Sequence, residues 1–154
     1  MVSIQSDDIV AIEQLLYRDC FALDKGTGDY VVSLFHESAT LVVLFEGGAP
    51  IKGRAAIREW FANLHNTLRA SVDHMRHCVT NPAIEVSDNR ATAQAYWTAD
   101  FILKATGKPI WIAGHYWDTV VKEEGRWLFE QRQIHRHYAT ESSIHRPTQG
   151  TGNR

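Results

Sequence analysis

Two side chains of this sequence could do acid–base chemistry together. Asp24 follows Cys20 by one helical turn and Leu16 by two, so it continues an apolar stripe. A carboxylate at the end of such a stripe stands at the mouth of the core and needs a partner there. Tyr17 precedes it by seven residues and points within about 20° of the same direction. His77 stands in the middle of His74-Met75-Arg76-His77-Cys78-Val79-Thr80-Asn81. A histidine backed by a carboxylate is a general base suited to neutral pH, because the carboxylate sets the tautomer and stabilises the imidazolium. Local sequence leaves plainer alternatives open: a solvated helix-end aspartate, and a histidine satisfied in the core or at a strand edge.

Arg132 is the third candidate. It lies five residues beyond Trp127, and a hairpin turning about Glu124 places it opposite Tyr116 on the inner face of a sheet. An inward guanidinium could hold an anionic leaving group or an oxyanion. It could equally be a structural ion pair with Asp118 or Glu130. His115, His135 and His137 invite a metal reading, and His135 and His137 share a face. No His/carboxylate cluster has a tight ligand spacing, so neither a metal nor a cofactor is expected. Cys20 and Cys78 lack an activating neighbour and read as small core residues. The sequence contains no P-loop, dinucleotide glycine fingerprint or serine nucleophile elbow.

Three helices and a β-meander must position these groups. The first helix is expected from about Asp7 to Leu23, capped by Ser6, with Ile9, Ile12, Leu16, Cys20 and Leu23 as its apolar stripe. Gly26-Thr27-Gly28 breaks it, and Asp29 is expected to cap a short helix over Tyr30–Phe35. A buried strand over 39–45 and a helix from Arg54 to Leu68 follow. Strands are then expected at 72–86, 90–104, 110–122 and 126–138, the first interrupted by Pro82. Residues 90–104 alternate, which puts Trp97, Ala99 and Phe101 on one face. A turn between Gly107 and Lys108 pairs Phe101 with Gly114, Ala99 with Tyr116 and Trp97 with Asp118. Those six residues form the inner face. Tyr96, Thr98, Asp100, His115 and Trp117 form an outer face whose aromatic content predicts a subunit contact, with Asp100 and His115 as cross-strand neighbours.

Composition bounds the function. The length of 154 residues fits one domain, taken as 1–140 with a loose polar tail over 141–154. A net charge of −2 with no Lys/Arg stripe argues against nucleic acid or an anionic membrane as partner. No apolar run reaches the roughly 20 residues of a membrane span. The N-terminus shows no export signal, and two cysteines suit a reducing cytosol, so a cytoplasmic location is expected. Five tryptophans imply either a well-filled core or an aromatic-lined cavity.

Several segments carry a family resemblance: Ile12-Glu13-Gln14-Leu15-Leu16-Tyr17 leading to Leu23-Asp24, Gly53-Arg54-Ala55-Ala56-Ile57, His77-Cys78-Val79-Thr80-Asn81, Gly114-His115-Tyr116-Trp117-Asp118 and Gly125-Arg126-Trp127. Jointly they resemble the SnoaL-like branch of the NTF2-like superfamily. The resemblance implies an α+β cone, with three N-terminal helices packed on a curved antiparallel sheet and a pocket between them. In the scytalone dehydratases of that superfamily an Asp–His dyad matches Asp24 and His77. The hexachlorocyclohexane dehydrochlorinases use the same dyad, followed on the strand by residues matching Thr80 and Asn81, and their active-site arginine matches Arg132. They carry a lysine where this chain has Asp19. The ketosteroid-isomerase base would fall near Val43, so that route is not expected.

The expected function is that of a cofactor-free lyase or isomerase, dehydratase-like, acting on a mostly apolar cyclic small molecule. His77 would be the base, Asp24 its orienting partner, and Arg132 or Tyr116 the assistant. Tyr17, Trp97, Ala99, Phe101, Gly114, Tyr116 and Asp118 would line the site. Two other functions fit the same resemblance: a non-catalytic binding or assembly subunit of the dioxygenase β-subunit type, and a polyketide-type cyclase or water-activating hydrolase. The outer sheet face would make a homodimer or higher homo-oligomer.

Overall fold

A computed structural model of the protein describes residues 4–141. Helix α1 (Ile4–Lys25) starts earlier than its local signals indicate, so Ser6 lies inside the first turn. Its buried stripe contains Ile12, Leu15, Leu16, Cys20 and Leu23, and also two carboxylates, Asp8 and Asp19. The short helix α2 (Gly28–Val32) is capped by Thr27, whose hydroxyl accepts from the Tyr30 N–H at 3.2 Å. Asp29, expected to do this, instead accepts from Arg58 of helix α3 (Arg54–Leu64) at 2.7 Å. α3 continues into a π-helical turn over His65–Arg69.

Six strands form one curved sheet: β1 (Phe35–Val43), β2 (Pro50–Lys52), β3 (Val72–Ser87), β4 (Arg90–Leu103), β5 (Pro109–Glu123) and β6 (Arg126–Glu141), in the order β2-β1-β6-β5-β4-β3. The meander is antiparallel as expected. The one parallel junction joins β1 to β6, because β1 enters the sheet across the helical layer and not by a hairpin. The short strand β2 had no signal beyond its flanking glycines. β3 runs through Pro82 by a bulge, with Asn81 at φ 54°. It tolerates the proline because it is an edge strand.

Register is where expectation and structure part. β4 and β5 pair Trp97 with Gly114, Ala95 with Tyr116, and Ala93 with Asp118. The ladder closes at Ile102–Pro109, so the turn is centred earlier than Gly107 and each partner moves by four residues. An even shift leaves every side chain on its face. Trp97, Ala99, Phe101, Tyr116 and Asp118 are therefore buried inward as expected, while Tyr96 and Trp117 remain 58% and 49% exposed outside. Asp100 pairs with Trp111 in the ladder and binds Arg76 at 3.0 Å, and does not meet His115.

The last hairpin carries a further device. Val120 pairs with Phe129 but Thr119 pairs with Gln131, leaving Glu130 as an extra residue. Phe129 and Arg132 are three apart and both buried, which strict alternation forbids. The bulge turns Arg132 inward and sets it opposite Asp118, not Tyr116.

The core is shared between α1, α2, α3 and the inner sheet face, with Phe35 packed against Phe61 and Phe129. None of the described helices is long and apolar enough to cross a membrane. Residues 142–154, most of the expected tail, lie outside the described residues.

Candidate active site

The last turn of α1 meets the middle of β3. His77 pairs with Ala99 across the ladder and so shares its inward face. The His77 ring Nδ1 lies 2.7 Å from Asp24 Oδ1, and the His77 backbone N–H donates to both carboxylate oxygens, at 3.2 and 3.0 Å. One carboxylate thus grips both the main chain and the ring of a single residue. Because a carboxylate only accepts, Nδ1 carries the proton and Nε2 is left as the basic nitrogen. The Asp24 and His77 side chains are only 6% and 16% exposed.

His77 opens onto a cavity of about 370 Å³ between the helices and the sheet, within the usual size range of small-molecule sites. The sheet supplies Met75, Trp97, Ala99, Phe101, Ile112, Tyr116, Arg132, Ile134 and Arg136, and the α3 side supplies Trp60, Phe61, Leu64, Thr67 and Leu68. Asp19 and Leu23 of α1 and Phe45 and Glu46 complete the lining. The π-helical turn brings Thr67 and Leu68 to this wall, a common use of such turns. Trp60 Nε1 donates to Glu46 Oε2 at 2.9 Å, and Arg136 covers the Phe45 ring at 4.6 Å. None of these groups was among the expected site residues: Phe45 and Glu46 come from the connection after β1, and Trp60 of α3 and Arg136 of β6 reach the cavity only through tertiary packing.

Three expected lining residues are elsewhere. Gly114 lies beneath Trp97: a Cβ there would meet the indole at 2.6 Å and His135 O at 1.9 Å. The glycine makes room for the indole, and the indole faces the ligand space. Asp118 is fully buried under the cavity, holding Arg132 Nε and Nη2 at 2.9 and 2.7 Å. Tyr17 is half-buried and off the cavity, because two helical turns displace it by about 10 Å along the axis despite its matching direction.

Arg132 lines the cavity but is 1% exposed and heavily engaged. Beyond its bidentate pair with Asp118, its Nη1 donates to Asp19 Oδ2. Its guanidinium lies over the Tyr116 and Phe129 rings, at 4.0 and 3.9 Å. Glu130, the other partner considered, binds Arg90 instead. Burial alone would lower the Arg132 pKa, but Asp118 and Asp19 outweigh it and hold the group higher than usual. Burial raises Asp118 despite the opposing pull of Arg132. Burial also pushes the Tyr116 hydroxyl well above its ordinary range, and the Cys20 thiol up to about 12, with Asp19 adding to the effect. Both groups stay protonated near neutral pH.

Asp19 was noted in the sequence only as a departure from the dehydrochlorinase pattern. A positional signal existed: it follows Leu15 by four residues and precedes Leu23 by four, on the buried stripe. Among the described residues no group of histidine, cysteine and carboxylate side chains is arranged to hold a metal ion. His115, His135 and His137 lie together on the outer face, with His115 Nδ1 2.7 Å from His137 Nε2.

A family model described as a SnoaL-like domain matches residues 5–133. No curated protein matches the chain. Among solved structures, a protein provisionally named an aromatic ring hydroxylase, from Novosphingobium aromaticivorans, is 26% identical with a TM-score of 0.75, over 88% of this chain and 94% of that one. A protein provisionally named scytalone dehydratase, from Novosphingobium aromaticivorans DSM 12444, is 23% identical with a TM-score of 0.79, over 94% of each chain. A type 3 hexachlorocyclohexane dehydrochlorinase from Novosphingobium barchaimii LL02 is 21% identical with a TM-score of 0.76, over 93% of this chain and 96% of that one. The last two similarities establish a common fold, the NTF2-like α+β cone.

Proposed function

We propose, since the chain belongs to the SnoaL-like domain family, that it is a cofactor-free lyase or isomerase acting on a mostly apolar cyclic small molecule. One observation carries the reading: His77, fixed by Asp24 at 2.7 Å, stands on the wall of a largely apolar cavity between the helices and the sheet. His77 Nε2 takes a proton from a ring carbon. In an elimination, the C–H electron pair becomes the new C=C bond and the bond to the leaving group on the neighbouring carbon breaks with its electrons. In an isomerisation, the proton returns at another carbon. Asp24 stabilises the imidazolium formed in between. Tyr116 or Arg132, both on the cavity wall, would assist the charge developing on the leaving group or oxyanion. Base catalysis of this kind contributes on the order of 10²–10⁴-fold. A cyclase or water-activating hydrolase would use the same dyad on a different bond.

The test is exchange and elimination in D₂O with a panel of hydroxylated and halogenated ring compounds, followed by mass spectrometry. Wild-type protein is expected to incorporate deuterium or release the leaving group. His77→Gln is expected to slow this by about 10²–10⁴-fold. Equal rates for the two proteins would overturn the assignment. A second reading, a non-catalytic binding or assembly subunit of the dioxygenase type, draws support from the ring-hydroxylase name of the 26% identical structure. It predicts tight binding of a ring compound with no exchange at all.

A further inference from the structure

Two arginines line the cavity in very different states. Arg132 is 1% exposed and commits its N–H groups to Asp118 and Asp19. Arg136 follows it by four residues on β6, so both face inward, with Ile134 between them on the same wall. Arg136 is exposed, and among the described residues it makes no hydrogen bond and no ion pair. Its guanidinium carbon lies 4.6 Å from the centre of the Phe45 ring. That contact occupies the face of a planar cation. The N–H donors lie in the plane and point out from its edge, so stacking holds the group in place and leaves the donors free. The other charged groups of the lining are engaged: Asp19 with Arg132, His77 with Asp24, and Glu46 with the Trp60 indole N–H. Among the described residues Arg136 is therefore the one charged lining group that is both reachable and unanswered.

The position of Arg136 relative to the base decides what it could hold. His77 is on β3 and Arg136 on β6, with β4 and β5 between them. The two residues stand at nearly the same height. His77 pairs with Ala99, and Arg136 pairs with Gly114, which pairs with Trp97, one inward step from Ala99. Three inter-strand spacings separate the backbones, roughly 14 Å along the sheet, and both side chains face the same cavity. A ring compound in that cavity meets the base at one end and Arg136 at the other. The group at Arg136 must accept hydrogen bonds, and a carboxylate matches the guanidinium fork with two parallel bonds. One carboxylate fits better than a phosphate monoester, because Glu46 also lines the cavity and repels added negative charge.

We infer that Arg136 is a specificity-determining, ligand-binding residue, and that the cavity takes a ring compound carrying one carboxylate in preference to its neutral ester or amide. The carboxylate is held at Arg136 while a ring carbon faces His77. This rests on the proposed function for the role of His77 and deepens it by naming the charge of the substrate. The apolar wall holds the ring, and Arg136 sets which end of it points at the base.

Binding of matched probes tests the inference without turnover. The probes are 2-naphthoate, its methyl ester and 2-naphthamide, with affinity read by calorimetry on the full chain. The acid is expected to bind wild-type protein about 10-fold more tightly than the ester and the amide. That is the low end for hydrogen bonds to a charged group, because Arg136 is exposed. The advantage should shrink as salt rises from about 50 to about 500 mM, since an exposed pair is screened. Arg136→Gln is expected to bring the acid down to the level of the ester. Arg136→Lys is expected to restore part of the advantage, through charge without the fork. No preference for the acid in wild-type protein, no measurable binding of the acid, or a preference unchanged in Arg136→Gln overturns the inference. His77→Gln separates it from the proposed function: it should abolish exchange and keep the acid preference. A preference lost in His77→Gln but kept in Arg136→Gln would put the anion on the base and sink the Arg136 assignment. Absence of exchange in wild-type protein, with the acid preference intact, sinks the catalytic reading alone.

Discussion

At the scale of single residues, the dyad is a mechanical as well as a chemical unit. Asp24 binds the His77 ring and the His77 main-chain N–H together. Its removal therefore has two separable consequences. Asp24→Ala strands a partly buried N–H and frees the ring, a loss of about 1–3 kcal/mol in urea unfolding. Asp24→Asn keeps an acceptor of the same shape but withdraws the charge that supports an imidazolium. It should unfold nearly like wild type, while any His77-dependent exchange falls by about 10²–10⁴-fold. An Asp24→Ala protein as stable as wild type would show that the carboxylate does not hold the strand.

At the scale of elements, the N-terminal part of α1 is tied to the last hairpin. Asp8 Oδ1 accepts from Lys122 Nζ at 2.7 Å and from the buried Trp127 Nε1 at 2.9 Å. These two hydrogen bonds, Lys122's first, hold the Asp8 carboxyl below its ordinary pKa. Asp8→Ala leaves the Trp127 indole N–H without its acceptor, a cost of about 1–3 kcal/mol near neutral pH. The sign of the pH dependence follows from the lowered native pKa. The contribution is complete above the unfolded value of about 3.9, and is lost as pH falls from there through the native value. The Tm difference between wild type and Asp8→Ala should thus be constant from pH 7 to about 5 and shrink below about 4. A difference that persists undiminished at pH 2 would show that ionised Asp8 is not the tie.

At the scale of the whole molecule, the sheet has two faces with different work. The inner face carries the cavity. The outer face exposes Tyr96, Trp117 and Tyr138 beside the three clustered histidines, and is expected to be covered by a second copy of the chain. Sedimentation at micromolar concentration and pH 7.5 should give a dimer or larger assembly, and a clean monomer rules this out. Burial first, then the neighbouring His135 and His137, lower the His115 pKa. A histidine shifted this way adds stability that is complete above its unfolded value of about 6.5 and lost as pH falls below it. Thermal stability should therefore decline from pH 7 to 5, and His115→Gln should flatten that decline.

The sequence alone determined the order of the three helices and of every strand but β2, the faces of the meander strands, and Asp24 and His77 as candidate partners. Each follows from short-range rules: helical spacing put Asp24 on the Leu16–Cys20 stripe, alternation put Trp97, Ala99 and Phe101 on one face, and the segment around His77 resembled a known strand. Even a wrong hairpin centre did no harm there, since its error was an even number of residues. Only the tertiary structure decided which inward residues meet the cavity and which lie beneath it. Gly114 yields its place to Trp97, Asp118 lies under Arg132, and Tyr17 is two turns too far along α1. The bulge at Glu130 brings Arg132 to face Asp118, and the approach of α1 delivers Asp19 to its remaining side. Those placements depend on contacts between residues far apart in the chain, with 113 positions separating Asp19 from Arg132. Local periodicity can say that each side chain points inward, but not which buried partner it will find.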